Sequence, residues 1–215
     1  MAQSGIHAFV GIALSKFLNY EKWLIPSIIF GLLIPDIDII FTAIGMTDFK
    51  STFLMHSIFF ATLTYLVFLS ISEITSDKKF ETVGKGLSIG ILLHITIDAL
   101  FWFQSIYIFW PLKVDYSIIN HSNDFIVNIL LALEFLFFRI YGWYLVKRYI
   151  EKPASGSWFI KYISRWIKIE FILFILFLLL SYLNVSNYQP LFILMYIPSL
   201  IMALISTYIL RDIFN

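Results

Sequence analysis

A chain of 215 residues that is 60% hydrophobic and 13% charged, with a mean hydropathy of +0.87, is not an ordinary soluble domain, where about 25% of residues are charged. A formal net charge of +1 argues against nucleic acid as the main partner, because a nucleic-acid surface needs a basic footprint. The chain contains no cysteine, which excludes a disulfide framework, a Cys-type zinc site and a thiol nucleophile.

The elements follow in chain order. Met1-Ala-Gln-Ser-Gly-Ile-His7 has no basic n-region and no small-residue cleavage site, so the first apolar segment is expected to be retained. That segment, 5–18, is short for a span; Ser4 is placed to cap it and Lys16 marks its far end. Runs long enough for a span, roughly 20 apolar residues, lie at 23–41, 53–74, 86–111, 125–146, 169–184 and 190–210. The expected fold is therefore an all-α polytopic transmembrane bundle of six or seven spans. It divides into a membrane domain over 1–146, a basic cytoplasmic loop over 147–168 containing Pro153-Ala-Ser-Gly-Ser157, and a C-terminal two-helix membrane segment over 169–215. From Phe171 to Leu210 there is no Asp, Glu, His, Lys or Arg, and that stretch reads as bilayer filler. Membrane lipids are the expected surroundings.

Topology follows from Lys and Arg. Alternating the segments puts Lys16, Lys22, Lys78, Lys79, Lys85, Lys147, Arg148, Lys152, Lys161, Arg165, Lys168 and Arg211 on one face, and Lys50 and Lys113 on the other. The basic face is expected to be cytoplasmic, with the N-terminus outside and the C-terminus inside.

Against this background six ionisable residues stand out, because a charged group at membrane depth costs on the order of 2.5–3.5 kcal/mol. His7 begins the first helix. Asp36 and Asp38 close the second, His56 opens the third, and His94 and Asp98 lie late in the fourth. At about 1.5 Å per residue, Asp98 is about 20 Å from Lys85, so all six reach the outer half. Three imidazoles and three carboxylates at one depth are a transition-metal ligand set.

Each piece taken alone has a plainer reading. His94-Ile-Thr-Ile-Asp98 places two side chains on one helical face at i, i+4, which suits a shared ion, an Asp that orients a ligating His, or, as the plainer reading in isolation, an interhelical hydrogen-bonded pair. Pro35-Asp36-Ile-Asp38 is more telling: Pro35 interrupts or restarts the helix, and broken helix at membrane depth lines cavities. Ser57 reads as a local hydrogen-bonding residue, Glu134 as a helix–helix hydrogen-bonding group, Arg139 as a snorkelling or paired cation, and Asp124 in His121-Ser-Asn-Asp124 as a helix cap. Trp23, Trp102, Tyr107, Trp110 and Trp143 read as interfacial aromatics.

The ordered set of His7, Gly31-Leu-Leu-Ile-Pro35-Asp36-Ile-Asp38, His56-Ser57, His94-x-x-x-Asp98 and Trp110-Pro111 resembles the YdjM-like family of bacterial inner-membrane proteins, assigned as metal-dependent hydrolases. The resemblance covers roughly 1–115. It implies a divalent-metal site on His7, Asp36, Asp38, His56, His94 and Asp98, with Asp36, Asp38 and Asp98 as the catalytic carboxylates. Ser51 and Thr52 stand where the family commonly has a His-Arg pair, removing a possible ligand and a phosphate-binding cation. Mixed nitrogen and oxygen ligands suit Zn²⁺ first, then Mn²⁺ or Fe²⁺. The expected activity is hydrolysis of an ester or phosphoester, with a lipid or lipid-linked substrate suggested by the depth of the site. Two alternatives stay open: a non-enzymatic integral subunit of a membrane complex, and a metal- or proton-coupled transporter, the latter weakened by the lack of an apparent inverted repeat.

Overall fold

The computed structural model describes residues 3–17, 23–40, 54–101, 108–112, 124–153, 157–183, 185 and 188–214. The readings placed on Lys22, Lys50, Ser51, Thr52, Trp102, Tyr107, Lys113, His121, Ser122, Asn123 and the side chain of Asp124 lie outside the described residues. Among those described, the chain is all helical: α1 (Ser4–Leu14), α2 (Leu24–Leu33), α3 (Ile58–Thr75), α4 (Lys78–Phe101), α5 (Asp124–Glu151), α6 (Ile160–Tyr182) and α7 (Gln189–Ile209). Tight 3₁₀ turns follow α2 (Pro35–Asp38), precede α6 (Ser157–Phe159) and follow α7 (Arg211–Phe214).

The expectation of six or seven spans is corrected. Four of the described helices are long and apolar enough to cross a membrane: α3, α4, α5 and α7. The first two helices fall short in length, at 11 residues for α1 and 10 for α2; α2 stops where Pro35 withholds its N–H and the chain tightens into a 3₁₀ turn. The sixth has the length, at 23 residues, but carries Lys161, Arg165, Lys168 and Glu170 in its first half. Much of the basic stretch 147–168 is accordingly helix, with Lys147 and Arg148 in the last turns of α5, each facing Glu151.

One apolar core joins α1, α2, α5, α6 and α7 through Ala8, Ile29, Leu32, Phe135, Phe177 and Leu200. Its centre is aromatic: Phe135 stacks on Phe177 at 5.0 Å, and Phe192 contacts both rings and Tyr196. The third helix stands apart. It meets α4 over a small separate cluster of Ala61, Ile91 and Ile95, while Phe59, Leu63, Leu66 and Val67 are exposed, as suits a helix facing lipid.

The helices α2 and α4 approach each other closely. A β-carbon on Gly31 would stand 2.3 Å from the carbonyl oxygen of Leu87, and one on Gly90 would stand 2.2 Å from that of Ile28. The two backbones touch because neither position has a side chain, the small-residue contact that lets membrane helices pack closely. This contact sets the height of His94 against the end of α2. Gly90→Val is therefore expected to destabilise the protein by about 1–3 kcal/mol or more, while Leu92→Ala on the exposed face of α4 changes stability by less than about 0.5 kcal/mol. Thermal unfolding of the purified protein in detergent measures both, and equal effects would refute the role given to this contact.

Candidate metal centre

Each of the six singled-out residues is placed by a local rule. His7 lies on the buried stripe of α1 formed by Ser4, Gly5, His7, Ala8, Gly11 and Ile12, the spacing of one helical face. Asp36 and Asp38 ride the 3₁₀ turn opened by Pro35 and are both buried. His56 immediately precedes Ser57, whose Oγ caps α3 by accepting the Phe60 N–H at 3.1 Å. His94 and Asp98 share a face of α4, one turn apart, and both are buried.

The six converge. Asp98 is the hub: His94 Nε2 lies 3.2 Å and His56 Nε2 3.4 Å from its Oδ2, and His7 Nε2 lies 3.3 Å from its Oδ1. His7 Nδ1 is 3.8 Å from Asp36 Oδ2, and His56 Nδ1 is 3.8 Å from Asp38 Oδ2. The imidazoles also touch one another, with His7 stacked on His94 at 3.9 Å between centroids and His56 edge-on to His94 at 4.8 Å.

Two tautomers follow from the backbone. His7 Nδ1 lies 2.7 Å from the carbonyl oxygen of Gln3, and His94 Nδ1 lies 2.8 Å from that of Leu32. A carbonyl only accepts, so both Nδ1 atoms carry hydrogen and donate. In a neutral ring the Nε2 lone pair then points at Asp98, and both Nε2 atoms are buried without a hydrogen-bond partner among the described residues. A lone pair facing a carboxylate needs a cation between them. Protonating both rings would stack two imidazolium charges face to face, which like charges resist. A single divalent cation held by these residues would compensate both lone pairs and the carboxylate together. An imidazole fixed through Nδ1 to a carbonyl, with Nε2 free, is also how metal-ligating histidines are oriented.

Spacing agrees. Ligand atoms of His7, His94 and Asp98 lie within 4.8 Å of one another, as do those of Asp36, His56 and His94. Ligands about 2.0–2.2 Å from one ion stand about 3–4 Å apart, so little movement is needed. The residues present fit a metal.

The surrounding shell includes groups that motif reading passed over. Asp36 Oδ2 accepts from the Gln3 N–H at 3.2 Å, from Ser4 Oγ at 2.5 Å and from the Tyr196 hydroxyl at 3.4 Å, and the Tyr196 oxygen accepts the Ser4 N–H at 2.7 Å. Ser4 therefore lies inside α1 and binds Asp36, and the helix is capped at Gln3 without a side-chain hydrogen bond. Glu134, buried on α5, accepts the Gly5 N–H at 2.7 Å. A carboxylate at a helix start satisfies an otherwise orphaned N–H, and Gly5 allows the approach, since a β-carbon there would stand 2.4 Å from the Glu134 carbonyl oxygen. Arg139 lies apart from this cluster, with its guanidinium 4.3 Å from the Phe171 ring centroid.

Glu134 thus holds the start of the helix that carries His7. Glu134→Ala leaves a buried N–H without its acceptor and is expected to cost about 1–3 kcal/mol. Glu134→Gln keeps a carbonyl acceptor and costs less. Denaturation of the two variants in detergent checks the order, and equal losses would show that the hydrogen bond to Gly5 does not hold α1.

Comparison with known proteins adds one finding. The family model described as YdjM inner membrane protein matches residues 2–193, which is most of the chain. No curated protein and no solved structure matches it.

Proposed function

This chain belongs to the YdjM inner membrane protein family, and we propose that it is a membrane-embedded, metal-dependent hydrolase of ester or phosphoester bonds. The observation that carries the reading is the convergence on Asp98 of His7, His56 and His94 through Nε2, with two of the rings fixed by backbone carbonyls. A bound divalent ion, Zn²⁺ first and Mn²⁺ or Fe²⁺ as alternatives, supplies an acidified water and a Lewis acid in such a site.

The protein's own groups divide the remaining work. His7, His56 and His94 present Nε2 as ligands, and Asp98 shares or orients them. Asp36, held through Oδ2 by Gln3, Ser4 and Tyr196, fixes α1 against the turn after α2 and has a carboxylate oxygen within reach of the His56 and His94 ligand atoms. Asp38 Oδ2 is buried with no hydrogen-bond partner among the described residues, so Asp38 is the carboxylate best placed to take a proton as general base. Burial of all six limits bulk water, which strengthens each electrostatic contact.

A lipid or lipid-linked phosphate or ester is the proposed substrate class, since the cluster lies at one end of helices long enough to cross a membrane. The proposed orientation is N-terminus outside and C-terminus inside; it takes the 23-residue α6 as a further crossing between α5 and α7 and is supported by the basic asymmetry of the sequence. A cysteine introduced as Pro153→Cys in this cysteine-free chain is expected to resist a membrane-impermeant thiol reagent in intact cells and to label after permeabilisation. Labelling in intact cells would reverse the orientation.

A second reading, a non-enzymatic subunit whose polar residues hold helices together, is favoured by Ser51 and Thr52 in place of the family's His-Arg pair. A transporter would move metal or protons across liposomes. One set of measurements separates the three. Purified wild-type protein is expected to hold divalent metal and to hydrolyse at least one member of a panel of lipid phosphates and esters. His94→Ala is expected to lose both metal and turnover, at least about a hundredfold in rate. Asp98→Asn is expected to keep more metal than His94→Ala while losing rate, because it changes ligand orientation and basicity. Absence of stoichiometric metal after chelator-free purification and reloading would sink the hydrolase and favour the subunit.

A further inference from the structure

The end of the bundle away from the metal centre carries a second polar construction. A cavity of about 260 Å³ opens between the start of α2, the first turns of α4 and the turn after α7, lined among others by Trp23, Pro26, Phe30, Val83, Lys79 and Arg211. Two cations meet over one indole there: Lys79 Nζ lies 4.3 Å and the Arg211 guanidinium carbon 4.8 Å from the Trp23 ring centroid. The arginine is held in place. Its Nη1 donates to the Tyr208 carbonyl at 2.8 Å, and Ile213 and Phe214 of the same turn are buried. Its Nε is buried and has no hydrogen-bond partner among the described residues. The start of α2 faces the same cavity, and Trp23, its cap, makes no side-chain hydrogen bond to the helix, so the positive end of the helix dipole is left to other partners.

We propose that this cavity binds the phosphate head group of an anionic phospholipid, with Lys79 and Arg211 pairing the phosphate and the apolar wall formed by Pro26, Phe30 and Val83 receiving the upper part of an acyl chain. Three observations favour a lipid over a free anion. The lining beyond the two cations is mostly apolar, which a bare phosphate does not need. Lys79 and Asp98 are 19 residues apart on α4, about 28 Å at helical rise, close to the thickness of a hydrocarbon core, about 30 Å. With the metal centre near one interface, the cavity then lies near the other, where tryptophan belts and head groups are found. The cations also belong to the basic face of the sequence, and basic pockets between membrane helices on that side bind acidic head groups. The inference does not depend on the hydrolase reading, because it concerns the opposite end of the bundle.

The test uses the full chain, delipidated in detergent, with phosphatidylglycerol, phosphatidylcholine and inorganic phosphate as separate probes, read by native mass spectrometry and by thermal stability. Wild type is expected to retain phosphatidylglycerol preferentially and to be stabilised by it. Lys79→Gln combined with Arg211→Gln is expected to weaken that binding about thirtyfold, about fivefold for each cation. Lys161→Gln combined with Arg165→Gln removes the same charge from the start of α6 and is expected to leave binding within about threefold of wild type. Should the first double variant misfold, Val83→Trp fills the cavity while leaving both cationic residues in the chain and is expected to reduce phosphatidylglycerol retention with helicity unchanged. Equal retention by the wild type and either cavity variant would overturn the proposal. So would phosphatidylcholine binding as tightly as phosphatidylglycerol. Stabilisation by millimolar inorganic phosphate equal to that by lipid would make this a free-anion site and overturn the lipid assignment.

Discussion

Everything at the polar end of this bundle turns on one carboxylate. Asp98 faces three imidazoles that arrive from three separate elements, at 3.2–3.4 Å. A buried carboxylate facing imidazole lone pairs is tolerable when a cation lies between them, and intolerable without one, since an uncompensated buried charge costs several kcal/mol. The same demand fixes the helices. His7 is reachable if α1 packs along α2 and α5, His94 if Gly31 and Gly90 let α4 slide against α2 until Nδ1 meets the Leu32 carbonyl, and His56 if the start of α3 stays beside α4. Packing and chemistry are here one constraint.

A buried carboxylate away from this cluster is held by hydrogen bonds on a smaller scale. Glu170 on α6 accepts from the Trp166 indole N–H and, at 2.5 Å, from Ser199 Oγ on α7. Further along, the Tyr141 hydroxyl and Thr207 Oγ1 are 2.6 Å apart across α5 and α7. In a low-dielectric interior such bonds are strong, and their loss is costly. The Glu170 bonds tie α6 to α7, the Tyr141–Thr207 pair ties α7 to α5, and the aromatic stack around Phe192 brings the Tyr196 hydroxyl to Asp36 in the candidate metal centre.

The sequence was most legible where covalent chemistry dictated geometry. Pro35 cannot continue a helix ladder, so a broken segment bearing Asp36 and Asp38 could be read directly; the i, i+4 spacing of His94 and Asp98 and the hydrogen bonding of Ser57 were equally local, though the sequence alone did not mark Ser57 as the cap of α3. Helix count was less legible. Hydropathy sums apolar character along the chain and does not register that α2 ends at Pro35 or that α6 interleaves four charged residues with its apolar ones. Least legible was the contribution of α7. A stretch without ionisable residues looked like filler, yet Tyr196, Ser199, Ala203 and Ser206 fall at helical spacing on its buried side. That stripe of small and hydroxylated residues was the available signal, and it shows that the face turns inward without naming its partner. Gln3 and Ser4 left still less trace, because their role depends on a carboxylate more than 30 positions away.

The shortness of α1 and α2 bears on how the protein is made. At 11 and 10 residues, about 15–17 Å each, neither can bridge a bilayer alone, and His7, Asp36 and Asp38 emerge from the ribosome before their partners on α4 exist. A nascent chain therefore has reason to keep these helices at the membrane surface, in reach of head-group water, until His94 and Asp98 have been synthesised. The last ties, Glu134 to Gly5 and Tyr196 to Ser4, become available later still. All six clustered residues are present once α4 has been made, while the ties that hold α1 to α5 and α7 require those later helices.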